Sequence, residues 1–182
     1  MDRQTIVVVA AEIADLNGLD HVTLTAVANR LGVRKPSLYN HIDGLPQLKG
    51  QLAVWGTNQL QATISQAAIG KAKDAAIIAI ANAYRLFAHQ RPGLYKAIIS
   101  SPDRNNLELK TAIHNMMAVL STVLEPYNLV ASDTTHAVRG LRSLMHGFAS
   151  LEAEGWFAAA LDREESYQRL IKTFIRGIES SC

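Results

Sequence analysis

The chain is poor in the residues that build disulfide scaffolds, metal clusters and membrane spans. One cysteine and five prolines occur among its 182 residues, and a lone cysteine excludes an intrachain disulfide and any site made of several cysteines. No apolar run approaches the roughly 20 residues that span a bilayer, and Ile6–Ala11 is too short for a signal-peptide core. We therefore expect a cytoplasmic protein of one or two small domains, without membrane association, cofactor or metal.

The chain also lacks a large excess of either charge. Its 18 Lys and Arg exceed its 16 Asp and Glu by two. Within residues 1–50 the cations and anions balance, so a strongly basic footprint for nucleic acid is absent. The cations of this region do cluster at Arg30, Arg34 and Lys35, so the local charge there favours an anionic partner.

Helical periodicity dominates, and no strand-like alternation persists. The pattern predicts an all-α protein of about nine helices, with an N-terminal three-helix head and a C-terminal helical bundle. Within the bundle we predict helices at Pro46–Ile69, Asp74–His89, Pro92–Ile99 and Leu107–Glu125, with Ser100–Asp103 as a loop. A further helix, capped by Ser132 or Asp133, would run to Glu154, and Asp162 would cap the last one.

The most informative segment runs from Thr23 to His41. Its first half has apolar residues at i, i+3, i+4 and i+7 from Leu24 to Leu31, which places them on one helical face. Thr23 is suited to cap this helix and Gly32 to end it, and Pro36 fits the first turn of a second helix. This spacing predicts a helix-turn-helix.

The second helix of this motif would be anchored by Leu38 and Ile42. Its other faces would then carry polar and basic side chains, which are the types that reach phosphates and base edges. Two short amphipathic helices around a glycine turn also occur in many all-α proteins. Spacing alone therefore leaves a purely structural interpretation open.

The segment resembles the DNA-binding head of TetR/AcrR regulators, in which Leu-Gly-Val leads to a recognition helix containing Leu-Tyr-x-His. Here these elements are Leu31-Gly32-Val33 and Leu38-Tyr39-Asn40-His41. The resemblance implies a DNA-binding head over residues 1–45 and an effector-binding and dimerisation domain over 46–182. The implied DNA contacts are Thr25, Arg34, Lys35, Pro36, Ser37, Tyr39, Asn40, His41 and Lys49.

One position departs from the family pattern. Family members commonly carry a phosphate-contacting lysine near the start of their fourth helix, where this chain has Asp43-Gly44-Leu45-Pro46. Backbone N–H groups of Leu45–Leu48 remain available to an anion, and Lys49 is the nearest cation. Whether the missing lysine weakens DNA binding stays open at this point.

The C-terminal part resembles the WHG-type subgroup of the family, through Arg91–Tyr95, Leu144–Phe148 and Asp162–Leu170. Met145 stands where the name-giving motif has a larger residue. The resemblance implies a homodimer built by the last two helices and a pocket for a small hydrophobic effector. The implied effector contacts are Trp55, Tyr84, Phe87, Tyr95, Met117 and His146. The implied dimer contacts are Phe148, Leu151, Tyr167, Leu170 and Phe174. The sequence leaves open whether these residues pack between two subunits or only within one chain.

Taken together, these features predict a ligand-responsive regulator, a repressor that binds a palindromic operator as a dimer. A second hypothesis is a helical ligand-binding or protein-interaction bundle whose DNA binding is weak or lost. An enzyme is disfavoured, because the chain contains none of the short motifs typical of catalytic helical proteins. The sequence does not identify the operator, the effector or the regulated genes, and it does not distinguish a repressor from an activator.

Overall fold

The computed structural model describes residues 1–100 and 105–180, and its regular elements there are all helices, which confirms the all-α prediction. Eight α-helices and a six-residue 3-10 helix at Lys35–Asn40 make nine helices in the described residues, beside two three-residue 3-10 turns at Leu19–His21 and Glu125–Tyr127. The α-helices are α1 (Arg3–Asn17), α2 (Leu24–Leu31), α3 (Leu45–Ala68), α4 (Lys73–Gln90), α5 (Pro92–Ser100), α6 (Leu107–Leu124), α7 (Ala131–Ala153) and α8 (Arg163–Glu179). None of these described helices is both long and apolar enough to cross a membrane.

The first of two compact units comprises Met1–Gln59 and Gln90–His114. Helix α1 packs against α2 and α5 in this unit. The Asp2 carboxylate caps α1 by accepting a hydrogen bond from the Thr5 N–H at 2.8 Å, and this bond lowers the pKa of Asp2. Fully buried apolar side chains form the core, among them Ile6, Ala10, Leu38, Leu48 and Leu52.

The second unit comprises Leu60–His89 and Asn115–Cys182, as far as the description extends. Its core contains Ile80 of α4, Leu141 and Met145 of α7, and Ile171 of α8, all of them fully buried. The predicted boundary at residue 45 separates a DNA-binding domain from an effector-binding domain. The two compact units are defined by packing and not by function, so this boundary stays a prediction.

Several helix ends differ from the predicted ones. Helix α7 begins at Ala131 with Val130 in the capping position, so the predicted caps Ser132 and Asp133 are wrong. The Val130 carbonyl accepts from both the Thr134 N–H and the Thr134 hydroxyl, which starts the helix two residues earlier. Helix α6 ends at Leu124, and Glu125–Tyr127 forms a 3-10 turn. Of the predicted loop, Ser100 ends α5 and Ser101–Asp103 lie outside the described residues.

Candidate nucleic-acid interface

The turn between the two helices of the motif is built by local hydrogen bonds. The Thr23 hydroxyl accepts from the Ala26 N–H at 3.1 Å and caps α2, as predicted. Gly32 ends α2 in the left-handed conformation, with φ at 68°, which costs a residue without Cβ little. The Val33 N–H then donates to the Ala28 carbonyl at 3.0 Å. These bonds satisfy the free carbonyls at the helix end and fix the direction of the following segment.

The recognition segment Lys35–Asn40 is a 3-10 helix, where the sequence predicted an ordinary second helix. Arg34 precedes it in extended conformation, Pro36 lies in its first turn, and the Ser37 N–H donates to the Arg34 carbonyl at 2.9 Å. A 3-10 helix uses i to i+3 bonds and suits short runs of this length. Leu38 in this segment is fully buried, with 0% of its surface exposed.

The predicted DNA contacts divide by exposure. Thr25, Arg34, Lys35, Pro36 and Asn40 are exposed, and Tyr39 is 53% exposed although it is aromatic. Ser37, His41 and Lys49 are half-buried. Burial of Leu38 and Ile42 beneath this surface leaves the polar side chains of the segment outside the core.

The exposed cations and the exposed aromatic ring among these residues have no partner within the described chain. No described residue forms a hydrogen bond or an ion pair with the side chain of Arg34, Lys35 or Tyr39. The neighbouring Arg30, by contrast, pairs with Glu12 at 3.2 Å. Arg3 donates to the carbonyl of His41 at 3.2 Å, next to the end of the recognition segment. The unpaired cations of the turn are therefore Arg34 and Lys35.

The departure at Asp43 has a specific geometry. The Asp43 N–H donates to the Gln47 side-chain carbonyl at 2.7 Å, and the Gln47 amide donates to the Asp43 carboxylate at 2.8 Å. This reciprocal pair occupies the start of α3, where helix N–H groups would otherwise attract an anion. An exposed carboxylate at this place repels a phosphate. The absence of the lysine is evident from the sequence, whereas the hydrogen-bonded pair of Asp43 and Gln47 was not predicted.

The predicted effector contacts are placed separately in the two units. In the first, Tyr95 is buried, and Trp55 lines a pocket of about 280 Å³ with polar residues that include Arg3, Gln51 and Asn58. The Arg91 guanidinium lies over the Trp55 ring at 5.4 Å. The surroundings of Trp55 thus combine cations and amides with Val7 and Val54, where the sequence predicted a mostly apolar environment.

In the second unit, Tyr84 and Phe87 are buried, whereas Met117 and His146 are half-buried. Burial lowers the pKa of His146, and the neighbouring Arg142 lowers it further. The His146 Nδ1 lies 3.4 Å from the Ser150 hydroxyl.

Two of the predicted dimer contacts are already buried within the chain. Tyr167 is 0% exposed and donates to the Ala81 carbonyl at 2.7 Å, and its ring lies 4.8 Å from that of Phe148. Burial raises the pKa of Tyr167. An apolar stripe does not reveal whether its own chain or a partner covers it, and the role of these residues in a dimer stays a prediction. Leu151 and Leu170 are exposed, and Phe174 is half-buried.

An ion cluster around the buried Glu152 of the second unit was not predicted from the sequence. Arg85 of α4 donates to both carboxylate oxygens of Glu152 in α7, at 2.7 Å each, and to Glu164 in α8. His89 Nε2 lies 2.7 Å from Glu152. The hydrogen bond from Arg85 is the main cause that lowers the pKa of Glu152 to about 2. The only signal in the sequence was a glutamate inside an otherwise apolar helical stripe.

Comparisons with known proteins agree with the helical motif and the fold. A family model described as Tetracyclin repressor-like, C-terminal domain, matches residues 77–174. The chain is similar to the HTH-type transcriptional regulator YobS of Bacillus subtilis (strain 168), with 38% identity over 98% of this chain and 93% of that protein. It is also similar to the HTH-type transcriptional regulator Rv0681 of Mycobacterium tuberculosis, with 33% identity over 98% of this chain and 82% of that one.

A solved structure has the same fold. The transcriptional regulator SCO7222, a TetR from Streptomyces coelicolor, superposes with a TM-score of 0.78. The match covers 99% of this chain and 98% of that one at 18% identity. The WHG-type subgroup is not distinguished by these similarities and stays a prediction.

Proposed function

Because this chain belongs to the TetR family of HTH-type transcriptional regulators, we propose that it represses transcription by binding a palindromic operator as a homodimer. A small hydrophobic effector would bind the body and lower the affinity for the operator. The protein would act in the cytoplasm as a DNA-binding switch and not as an enzyme. The observation that carries the proposal is the set of exposed, unpartnered side chains on the recognition segment.

The recognition segment would enter the major groove with its buried face, Leu38 and Ile42, toward the head. Lys35, Pro36 and Asn40 would face base edges, because lysine and asparagine side chains bond guanine and adenine there. Tyr39 and His41 would contact phosphates and fix the register. Thr25, at the start of α2, and the half-buried Lys49 of α3 would reach the flanking phosphates.

Electrostatics make the single head a weak binder. Arg34 and Lys35 are its unpaired cations at the turn, and Asp43 repels phosphate at the start of α3. Few neutralised phosphates give a modest salt dependence. A dimer doubles the contacts and reads two half-sites, and for this reason we place the specificity in the assembly.

The dimer would form through α7 and α8, where Leu151 and Leu170 expose 45% and 37% of their surfaces. Phe174 is half-buried, and its ring approaches Gly140 so closely that a methyl group added at Gly140 would lie 3.3 Å away. Phe148 and Tyr167 are already buried within the chain. The predicted interface residues that remain available to a partner are therefore Leu151, Leu170 and Phe174. Effector binding would need a coupling free energy of about 1–3 kcal/mol to give a useful switch.

The second hypothesis, a bundle whose DNA binding is weak or lost, is favoured by one observation. The Asp43–Gln47 pair places a carboxylate where family members bind a phosphate. A protein of this class would bind a ligand or another protein through its body, and its head would serve packing only.

Binding to a fluorescent random-sequence duplex separates the two hypotheses. A DNA-binding regulator is retained at low salt and released at moderate salt, whereas a bundle without DNA binding is not retained. We expect Lys35→Ala to weaken binding by about tenfold, because it removes one of the two unpaired cations at the turn of each subunit. Tyr39→Phe removes a hydroxyl only, and we expect a smaller loss.

The matched control is Lys110→Ala, which removes an exposed cation of α6 outside the motif. Its binding and salt slope should equal those of the unmodified chain. Equal affinity in the unmodified chain, Lys35→Ala and Tyr39→Ala would refute the docking of the recognition segment.

A further inference from the structure

The connection between α7 and α8 forms a pocket of about 330 Å³. Phe148 contributes to its wall from α7, Trp156 and Phe157 from the connection, and Arg163 from the first turn of α8. Ala158 leaves space in the lining because its side chain is a single methyl group. This volume lies at the small end of the range for ligand pockets.

The connection is held by its own backbone hydrogen bonds. The Trp156 N–H donates to the Leu151 carbonyl at 2.9 Å, and the Ala158 N–H donates to the Trp156 carbonyl at 3.1 Å. The Trp156 indole N–H donates to the Glu154 carboxylate at 3.2 Å. These bonds set the backbone path and the orientation of the exposed indole.

Aromatic rings make up the wall. The centroids of Phe148 and Phe157 lie 4.8 Å apart with planes tilted by 42°, a favourable arrangement for an aromatic pair. Trp156 is 69% exposed beside them. A third ring inserted here would remove apolar surface from water and extend the aromatic contacts.

The charge at the mouth of the pocket is positive and unpaired. No described residue forms a hydrogen bond or an ion pair with the Arg163 guanidinium. The neighbouring carboxylates already have partners: Glu164 bonds Arg85, and Glu165 bonds Arg169. The Asp162 carboxylate accepts from the Glu164 N–H at 2.8 Å. The guanidinium is therefore available to an anionic group from outside.

From this geometry we propose a second small-molecule site, which takes a flat aromatic carboxylate. The ring packs against Phe148, Phe157 and Trp156, and the carboxylate accepts from Arg163. The site shares no residue with the predicted effector contacts, so it is a separate site and does not depend on the DNA-binding proposal. The volume of about 330 Å³ suits a ligand of one or two fused rings.

Calorimetry with 2-naphthoate tests this site in the full chain, without DNA. We expect saturable binding of 2-naphthoate, and weaker binding of the neutral 2-naphthamide. Arg163→Gln should weaken 2-naphthoate binding by about tenfold and remove the preference for the anion. Arg176→Gln, in the last turn of the same helix, is the matched control and should leave both affinities unchanged.

Ala158→Leu provides an independent test, because its larger side chain fills the pocket at an exposed position that does not affect the core. Binding of both probes should then disappear, while the sedimentation behaviour of the chain stays the same. Absent 2-naphthoate binding, or binding unchanged in Arg163→Gln and Ala158→Leu, would overturn the proposal. A shift from dimer to monomer in Ala158→Leu would also overturn it, because the occupant would then be a second copy of the chain.

Discussion

Asp15 of α1 binds Arg91 just ahead of α5, with the Arg91 Nε donating to the carboxylate at 2.5 Å. The other oxygen of the same carboxylate accepts from the Leu94 N–H at 2.9 Å, in the first turn of α5. Between these two bonds Gly93 lies directly on the α1 backbone. A methyl group at Gly93 would lie 2.0 Å from the Ala14 carbonyl carbon and oxygen. The ion pair and the glycine together hold α5 against α1 in the first unit.

This close approach predicts that Gly93→Ala destabilises the chain. The backbone of α1 would have to move, and overpacking of this kind costs about 1–3 kcal/mol. Denaturant unfolding measures the change. The control is Gly147→Ala in α7, where no heavy atom lies within 4 Å of the added methyl, and where we expect a gain of about 0.5–1 kcal/mol. Equal stabilities of the two variants would contradict the close packing of α5 on α1.

The Arg85–Glu152 pair predicts that the substitution Glu152→Gln lowers the free energy of unfolding. Glu152→Gln leaves the Arg85 guanidinium without its bidentate carboxylate. Because Glu164 still pairs with Arg85, we expect a loss of about 1–3 kcal/mol. Glu165→Gln, which breaks only the exposed pair with Arg169, should cost less than about 1 kcal/mol. Unfolding at neutral pH compares the two variants, and a similar loss in both would contradict a structural role for the cluster.

The same pair predicts a pH dependence. The fold lowers the pKa of Glu152 from 4.5 to about 2, so the ionised form stabilises the native state. This stabilisation is complete above the ordinary pKa and is lost as the pH falls toward the native value. The difference in unfolding free energy between the unmodified chain and Glu152→Gln should therefore shrink from about pH 5 to about pH 3. A constant difference across this range would contradict the assignment.

The exposed leucines of α7 and α8 predict that a charge introduced at the proposed dimer interface weakens the dimer. Leu170→Lys places an ammonium group on a surface that the dimer would bury, and we expect the dimer to dissociate at least about tenfold more readily. Leu86→Lys is the control, because Leu86 is 54% exposed on α4, outside the proposed interface. Sedimentation equilibrium measures both. A dimer unaffected by Leu170→Lys would place the interface elsewhere.

Local chemistry explains which parts of the fold could be predicted from the sequence. The caps Thr23, Gly32 and Asp162 act on residues two to four positions away, so their spacing along the chain suffices. The helical class follows from the apolar period. The choice between an α-helix and a 3-10 helix at Lys35–Asn40 was not predictable, because both leave Leu38 inward and Lys35 outward.

Contacts between distant residues were not accessible in the same way. Arg85 and Glu152 are far apart in sequence, and nothing local in either helix reveals the partner. Tyr167 belongs to an apolar stripe that was assigned to a dimer, but its hydroxyl finds the Ala81 carbonyl of its own chain. The pocket at Trp156 arises from a connection whose apolar residues follow no helical period. Tertiary packing determines each of these features.

Selection of bound DNA from a random duplex pool tests the central claim most directly. If the recognition segments of a dimer read two major grooves, the enriched sequences will contain two inverted half-sites whose centres lie a whole number of helical turns apart, about 10 base pairs each. The selected duplex should also lose affinity with Lys35→Ala and keep it with Lys110→Ala. Enrichment of no sequence, or of a single half-site without an inverted copy, would contradict the account of a dimeric operator-binding regulator.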